Sequence, residues 1–232
     1  MIISHSHRFI FFKSLKTAGT SIEAALSNQC SGNDVVVPIN DFAHNRDPDG
    51  QVQHRSMNAD EFYRSIGQHV DAPTIKNREP AEVWNNYFKF SIARNPWDRA
   101  LSYFFWERRQ DASLTPRKRF YHNLGMPYDD FTPVKRKFSQ FIKSRVLENN
   151  DRFYVIDDQL CVDFVIRYEF LDDDYREVCE RIGLSTLNIP HLKTGMRKKE
   201  RHYTEYYDQE TREIVADLHR NDIRLFGYGF GR

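Results

Sequence analysis

The clearest apolar run is RFIFFKSL at residues 8–15, short and β-prone, which predicts a strand. The register then changes. In TSIEAALSNQ (20–29) the apolar Ile22, Ala25 and Leu26 fall at helical spacing, so strand, loop and helix follow one another. A first strand is also expected close to Met1, and NDVVVPI (33–39) predicts a short one. The polar, turn-rich stretch 43–56 reads as a surface loop. Residues 58–67 read as a short helix capped by Asn58 and closed by Gly67. YFKFSIARNP (87–96) is the strongest strand pattern, and Pro96 opens a helix over 97–110. Residues 111–137, rich in proline and charge, predict an irregular insertion. Helical period returns at 138–149, a strand at 161–171, an amphipathic helix at 172–184 and a last helix at 209–228. Strands alternating with helices, with no internal repeat or low-complexity linker, predict one α/β domain over 1–232 around a mainly parallel sheet flanked by helices. In such sheets ligands bind at the carboxyl ends of the strands.

Composition narrows the partners. At 232 residues, 40% hydrophobic and 29% charged, the chain is long and apolar enough for a substantial core. Lys plus Arg number 34 against 33 Asp plus Glu, a net charge of +1. General attraction to nucleic acid or an anionic membrane is not expected, and any anion site must be built locally. No apolar stretch approaches the roughly 18 residues that suggest a membrane span. MIISHSHRFIFF has neither a basic leader nor a small-residue cleavage site, so the expectation is a cytoplasmic, bacterial protein. Cys30, Cys161 and Cys179 are widely spaced, which predicts buried free thiols rather than disulfides or zinc. His5 and His7 share one face of a strand but lack nearby ligands to complete a metal site. No metal is expected.

Two joints carry candidate chemistry. In KSLKTAGTSI, Lys16 precedes Gly19, and Thr20 and Ser21 follow it. A triphosphate loop reads G-x-x-x-x-G-K-[ST], so the order here is different. A helix N-terminus favours phosphate, Gly19 permits close backbone approach, two hydroxyls can donate, and Lys16 can reach over the same anion. A shorter loop with one glycine suits a single phosphate. The second joint, SIARNPWDRALSYF, also leaves a strand and places Arg94 before a helix that carries Ser102. A guanidinium fork and a hydroxyl can hold another phosphate. Each joint alone is also compatible with ordinary structure, a capping threonine in one and a surface ion pair in the other.

Together, in this order, the joints resemble the sulfotransferase superfamily that uses 3′-phosphoadenosine 5′-phosphosulfate (PAPS), in its carbohydrate-type, family-2-like branch. Lys16, Thr17, Ala18, Gly19, Thr20 and Ser21 match the loop that holds the 5′-phosphosulfate, and Arg94 and Ser102 match the element that holds the 3′-phosphate. VIRYEFLDDDYREVCERIGL and HYTEYYDQETREIVADLHRNDIRLFGYGF are also similar to that branch. The resemblance implies a P-loop-like three-layer fold and metal-free transfer of a sulfuryl group from PAPS to an acceptor hydroxyl, on a glycan or glycosylated small molecule. It implies Lys16 stabilising the leaving group and 3′,5′-ADP as product. His54, in VQHRSMNADEF, matches the family's general base, with His44 as runner-up. The late basic run MRKKER offers Arg197 and Lys198 to the 3′-phosphate, whereas PRKR and VKRK read as solvated faces. Tyr203, Tyr206, Tyr207 and the three tryptophans read as packing residues. The alternatives are a P-loop kinase or hydrolase, whose lysine order is absent, and a non-catalytic nucleotide-binding module.

Overall fold

The computed structural model describes residues 1–37, 58–110, 131–185, 188–190 and 201–232, with backbone only at 108–110 and 131–133. In chain order the strands are β1 (Ile2–Ser4), β2 (Phe9–Phe12), β3 (Val35–Val36), β4 (Phe88–Ala93), β5 (Val155–Ile156), β6 (Gln159–Leu160) and β7 (Phe164–Arg167). The helices are α1 (Gly19–Ser27), α2 (Glu61–Ile66), α3 (Ala72–Arg78), α4 (Ala81–Asn86), α5 (Pro96–Gln110), α6 (Phe131–Lys143), α7 (Leu171–Arg181), α8 (Gln209–Leu218) and α9 (Arg220–Phe226). Contacts divide the chain into two compact units, Met1–Arg94 with Asn150–Leu192, and Asn95–Asn149 with Lys193–Arg232.

The first unit holds the sheet, in the order β3-β1-β2-β4-β7. β2, β4 and β7 are parallel neighbours, and β1 runs antiparallel to both β2 and β3. The period-2 geometry of a strand sends Phe9, Phe11, Phe90, Ile92 and Ile166 to one face. There they pack in one core with Ile22, Ala25 and Leu26 of α1 and Tyr175, Val178 and Cys179 of α7. Phe11 stacks on Phe90 with ring centroids 5.2 Å apart. On the opposite face Phe12 meets Trp84 of α4 edge-on, and the Lys89 ammonium lies 5.7 Å from the centre of the same ring. Helices on both faces explain why β2 is apolar throughout, whereas β4 alternates, with the buried Lys89 and Ser91 between its apolar residues. This is the expected α/β class, a mostly parallel sheet between helical layers.

The second unit is helical. Trp97, Leu101, Phe104, Phe138, Ile142, Tyr207 and Val215 share its core. Asn95 caps α5 by accepting from the Trp97 amide at 3.1 Å, and its Nδ2 donates to the carbonyls of Gly229 and Arg232. Pro96 follows as the first helical residue, where it has no hydrogen bond to lose.

Several boundaries differ from the sequence reading. Residues 131–137, expected within an irregular insertion, are the first half of α6; 111–130 lie outside the described residues. Pro133 sits in the helix's first turn, where proline is tolerated, so it does not break the element. The cap of α2 is Asp60, whose carboxylate accepts from the Tyr63 amide at 3.0 Å, rather than Asn58. The 161–171 strand shortens to β7 and then tightens into a 3₁₀ turn at Tyr168–Phe170. The last helix breaks at His219, whose buried ring faces the Arg99 guanidinium. Cys30 and Cys179 are buried free thiols, but Cys161 is only half-buried.

Candidate active site

β2 runs into α1 through Lys13–Ala18, at the carboxyl end of the strand, as the sheet rule requires. The two lysines of this loop have different surroundings. Lys13 is fully buried, and its ammonium meets Glu23 at 2.5 Å and the Gln68 side chain. Glu23 is itself fully buried and also receives the Met1 nitrogen. Lys16 is half-buried, one step before Thr17. The buried pair leaves Lys13 with a structural part and Lys16 as the less buried lysine of the loop.

The backbone of the loop alternates in hand. Lys16 has φ 63° and Ala18 has φ 67°, whereas Thr17 and Gly19 are not in the positive region. Such alternation is the backbone pattern of an anion-binding nest, the device that P-loops use. Ala18 is the N-cap of α1 and offers no side-chain cap. Its carbonyl accepts from the Ser21 and Ile22 amides at 2.9 and 3.3 Å. Among the described residues, no hydrogen-bond acceptor is found for the amides of Ala18, Gly19 and Thr20. The partial positive end of α1 coincides with this nest.

The side chains mostly brace the loop. Ser14 Oγ donates to the Ile92 carbonyl at the end of β4 and lies 2.7 Å from Thr17 Oγ1. Since the serine proton goes to the carbonyl, Thr17 donates to Ser14. The Thr17 hydroxyl is fully buried and engaged within the loop, so what it can offer a ligand is its amide. Thr20 is half-buried and Ser21 buried. Gly19 serves close packing rather than left-handed backbone: a Cβ there would stand 2.8 Å from Lys13 Cγ and 3.3 Å from the Ser14 carbonyl. The left-handed positions fall on a lysine and an alanine instead, which nothing in the sequence signals.

Arg94 directly follows β4 and joins this site. Its Nη1 donates to the Lys16 carbonyl at 3.2 Å, and its guanidinium lies 3.9 Å from the centre of the Tyr168 ring. The second joint of the sequence therefore reaches the first. Ser102 lies in the second turn of α5, half-buried between the buried Leu101 and Tyr103. His54, His44, Arg197 and Lys198 lie outside the described residues. Tyr203, Tyr206 and Tyr207 are buried packing residues, as expected.

One residue at the site was not foreseen. Asn150 is buried, and its side-chain amide bonds both main-chain groups of Leu15, accepting from the N–H at 3.1 Å and donating to the C=O at 2.9 Å. It lies 135 positions along the chain from Leu15, and the run ENNDRF contains no motif that marks it.

A sequence model described as the sulfotransferase family matches residues 1–229. The chain belongs to the sulfotransferase family. The match spans nearly the whole chain, both joints included, and bears out the resemblance read from KTAGTS and RNPWDRALS. Family membership supports sulfuryl transfer as its chemistry. An uncharacterized protein of Archaeoglobus fulgidus is 30% identical over 115 residues, which are 47% of this chain and 79% of that one. A solved sulfotransferase from Alicyclobacillus acidocaldarius aligns over 92% of either chain at 17% identity. Its TM-score of 0.37 makes that a distant likeness, too low to carry inference. Among the described residues there is no cluster that could hold a metal ion, and no helix is long and apolar enough to cross a membrane.

Proposed function

We propose that this sulfotransferase moves the sulfuryl group of PAPS to a hydroxyl on a carbohydrate or glycosylated small molecule, releasing 3′,5′-ADP. The observation that carries the reading is the nest at Lys16–Gly19, set on the N-terminus of α1 in a chain of this family. The amides of Ala18, Gly19 and Thr20, with no acceptor among the described residues, suit one phosphate group. The order of lysine and glycine does not supply the lysine of a magnesium-bound triphosphate loop.

In this reading the amides of Ala18, Gly19 and Thr20 hold the 5′-phosphate, and Lys16 neutralises charge on the bridging oxygen as the S–O bond breaks. The acceptor oxygen attacks sulfur in line while His54 takes its proton, so that no free alkoxide or metal is needed. Arg94 is assigned to the 3′-phosphate, together with Ser102, Arg197 and Lys198 on the family motif. Arg94 already touches the Lys16 carbonyl, which supports placing the two phosphate ends of one nucleotide near this loop.

Thermal shift with 3′,5′-ADP, and separately with ATP and Mg²⁺, tests the donor class. Stabilisation by 3′,5′-ADP alone is expected; preference for ATP–Mg²⁺ favours a kinase-like protein, and silence with both a non-catalytic one. An acceptor screen with PAPS then reads 3′,5′-ADP release. Lys16→Ala is expected to lower turnover about 10²–10³-fold. Near-wild-type turnover in that folded variant would remove Lys16 from the mechanism.

A further inference from the structure

Lys16 occupies a backbone conformation that costs an ordinary residue roughly 1–2 kcal/mol. Something outside the loop has to hold it there. The φ and ψ of Lys16 are the rotations that relate the peptide plane before it to the plane after it. The plane before it carries the Leu15 carbonyl, which accepts from Asn150 Nδ2 at 2.9 Å. The plane after it carries the Lys16 carbonyl, which accepts from Arg94 Nη1 at 3.2 Å. Each of the two planes is thus fixed by a side chain from a different strand-end or turn. Asn150 adds a second bond, from the Leu15 amide to its Oδ1, and the partners settle the orientation of its amide: an N–H can only donate and a carbonyl only accept.

Asn150 is itself held firmly. It opens the short 3₁₀ turn Asp151–Phe153, where its carbonyl accepts from the Phe153 amide at 3.0 Å, and Phe153 and Tyr154 behind it are fully buried. We propose that Asn150 is a positioning residue for catalysis: with Arg94 it locks the two peptide planes flanking Lys16, and so aims the lysine ammonium at the leaving group. The role rests on the sulfuryl-transfer reading above. It does not require Asn150 to touch the nucleotide or the acceptor. An aspartate in its place would keep the shape and the bond from the Leu15 amide but would set an acceptor against the Leu15 carbonyl.

A double-mutant cycle with Lys16 separates positioning from simple structural support. In wild type, Asn150→Ala is expected to lower kcat about 10- to 10²-fold, the order associated with a displacement near 1 Å. The acceptor KM should stay within about twofold, since uniform binding is untouched. In the Lys16→Ala background the same change should alter kcat by less than about twofold, because there is no ammonium left to aim. An equal fold loss in both backgrounds overturns the proposal. Asn150→Asp carries the same comparison should the alanine variant not fold. The crystal structure of Asn150→Asp provides a readout independent of turnover: Lys16 should leave the left-handed region, and a Lys16 φ still near its wild-type value overturns the proposal. Wild type that neither binds 3′,5′-ADP nor consumes PAPS would instead overturn the functional reading, while the Lys16 backbone in the variant still decides the positioning claim.

Discussion

Gly19→Ala and Gly32→Ala are the same substitution with opposite expected outcomes. At Gly19 the new methyl carbon would stand 2.8 Å from Lys13 Cγ, closer than real Cβ contacts come, and 3.3 Å from a backbone carbonyl. Lys13 cannot swing aside cheaply. The clashing atom is near the root of its side chain, and its ammonium is tied to Glu23 and Gln68 in a fully buried setting. Forcing a methyl group into such packing costs roughly 1–3 kcal/mol. The better helix propensity of alanine offsets at most about 1 kcal/mol. The net expectation is a loss of about 1–2 kcal/mol. At Gly32 nothing lies within 4 Å and the backbone is not left-handed, so alanine should be neutral or should stabilise by up to about 1 kcal/mol through the unfolded chain. Urea titration at constant m reads the difference: Gly19→Ala should lower the midpoint by about 0.5–1 M, for m on the order of 2 kcal/mol/M. Equal midpoints for the two variants would refute the packing role given to Gly19.

Burial beside the Arg99 guanidinium pushes the His219 pKa down to about 2, below its ordinary 6.5, and burial beside Lys13 pushes His69 down to about 3. A depressed histidine adds stability that is present above the ordinary value and is lost as pH falls below it. The protein should therefore lose about 2–3 kcal/mol per such histidine between pH 6.5 and 4.5. Urea melts of His219→Gln should show a shallower loss in that window, and parallel curves would sink the account. Asp174 is buried and accepts from the Arg167 amide and guanidinium at 2.7–2.8 Å, bonds that offset its burial and hold its carboxyl below the ordinary value. Asp174→Asn should cost about 1–3 kcal/mol at pH 7, and its gap from wild type should close as pH falls below the ordinary carboxylate value near 4; a gap that persists in acid would point to packing instead.

What the sequence made legible was local. Helix α1, strand β4 and the proline start of α5 follow from spacing and from the chemistry of one or two residues. The hairpin of β5 and β6 was missed because its turn is built on Asp157 and Asp158, both left-handed (φ 51° and 60°), instead of on a glycine pair. Helices α3 and α4 are only seven and six residues long, and runs that short give too few turns for a period to show. The helical period of α6 was legible from Phe138 onward, where Phe138, Phe141 and Ile142 pack in the core of the second unit, but the basic run at 135–137 hid its first half.

The site divides the same way. That Lys16, Gly19 and Arg94 belong together was legible in the resemblance of the two joints, taken in order, to the sulfotransferase family. Its working geometry could not, because it is a tertiary property. The residue that allows conformational freedom, Gly19, is used for packing, and the strained positions fall on Lys16 and Ala18. A loop built on glycines would take its shape with little help but would also leave it easily. Here the shape of the loop is set by its surroundings: Ser14 against β4, Asn150 on one side of Lys16 and Arg94 on the other. Because Arg94 is also the residue assigned to the far phosphate, a nucleotide that draws it away from the Lys16 carbonyl would loosen the lysine, and one that leaves it in place would keep the lysine aimed. If Arg94 does take that phosphate and leaves the Lys16 carbonyl to do so, the conformation of Lys16 follows occupancy of the far site.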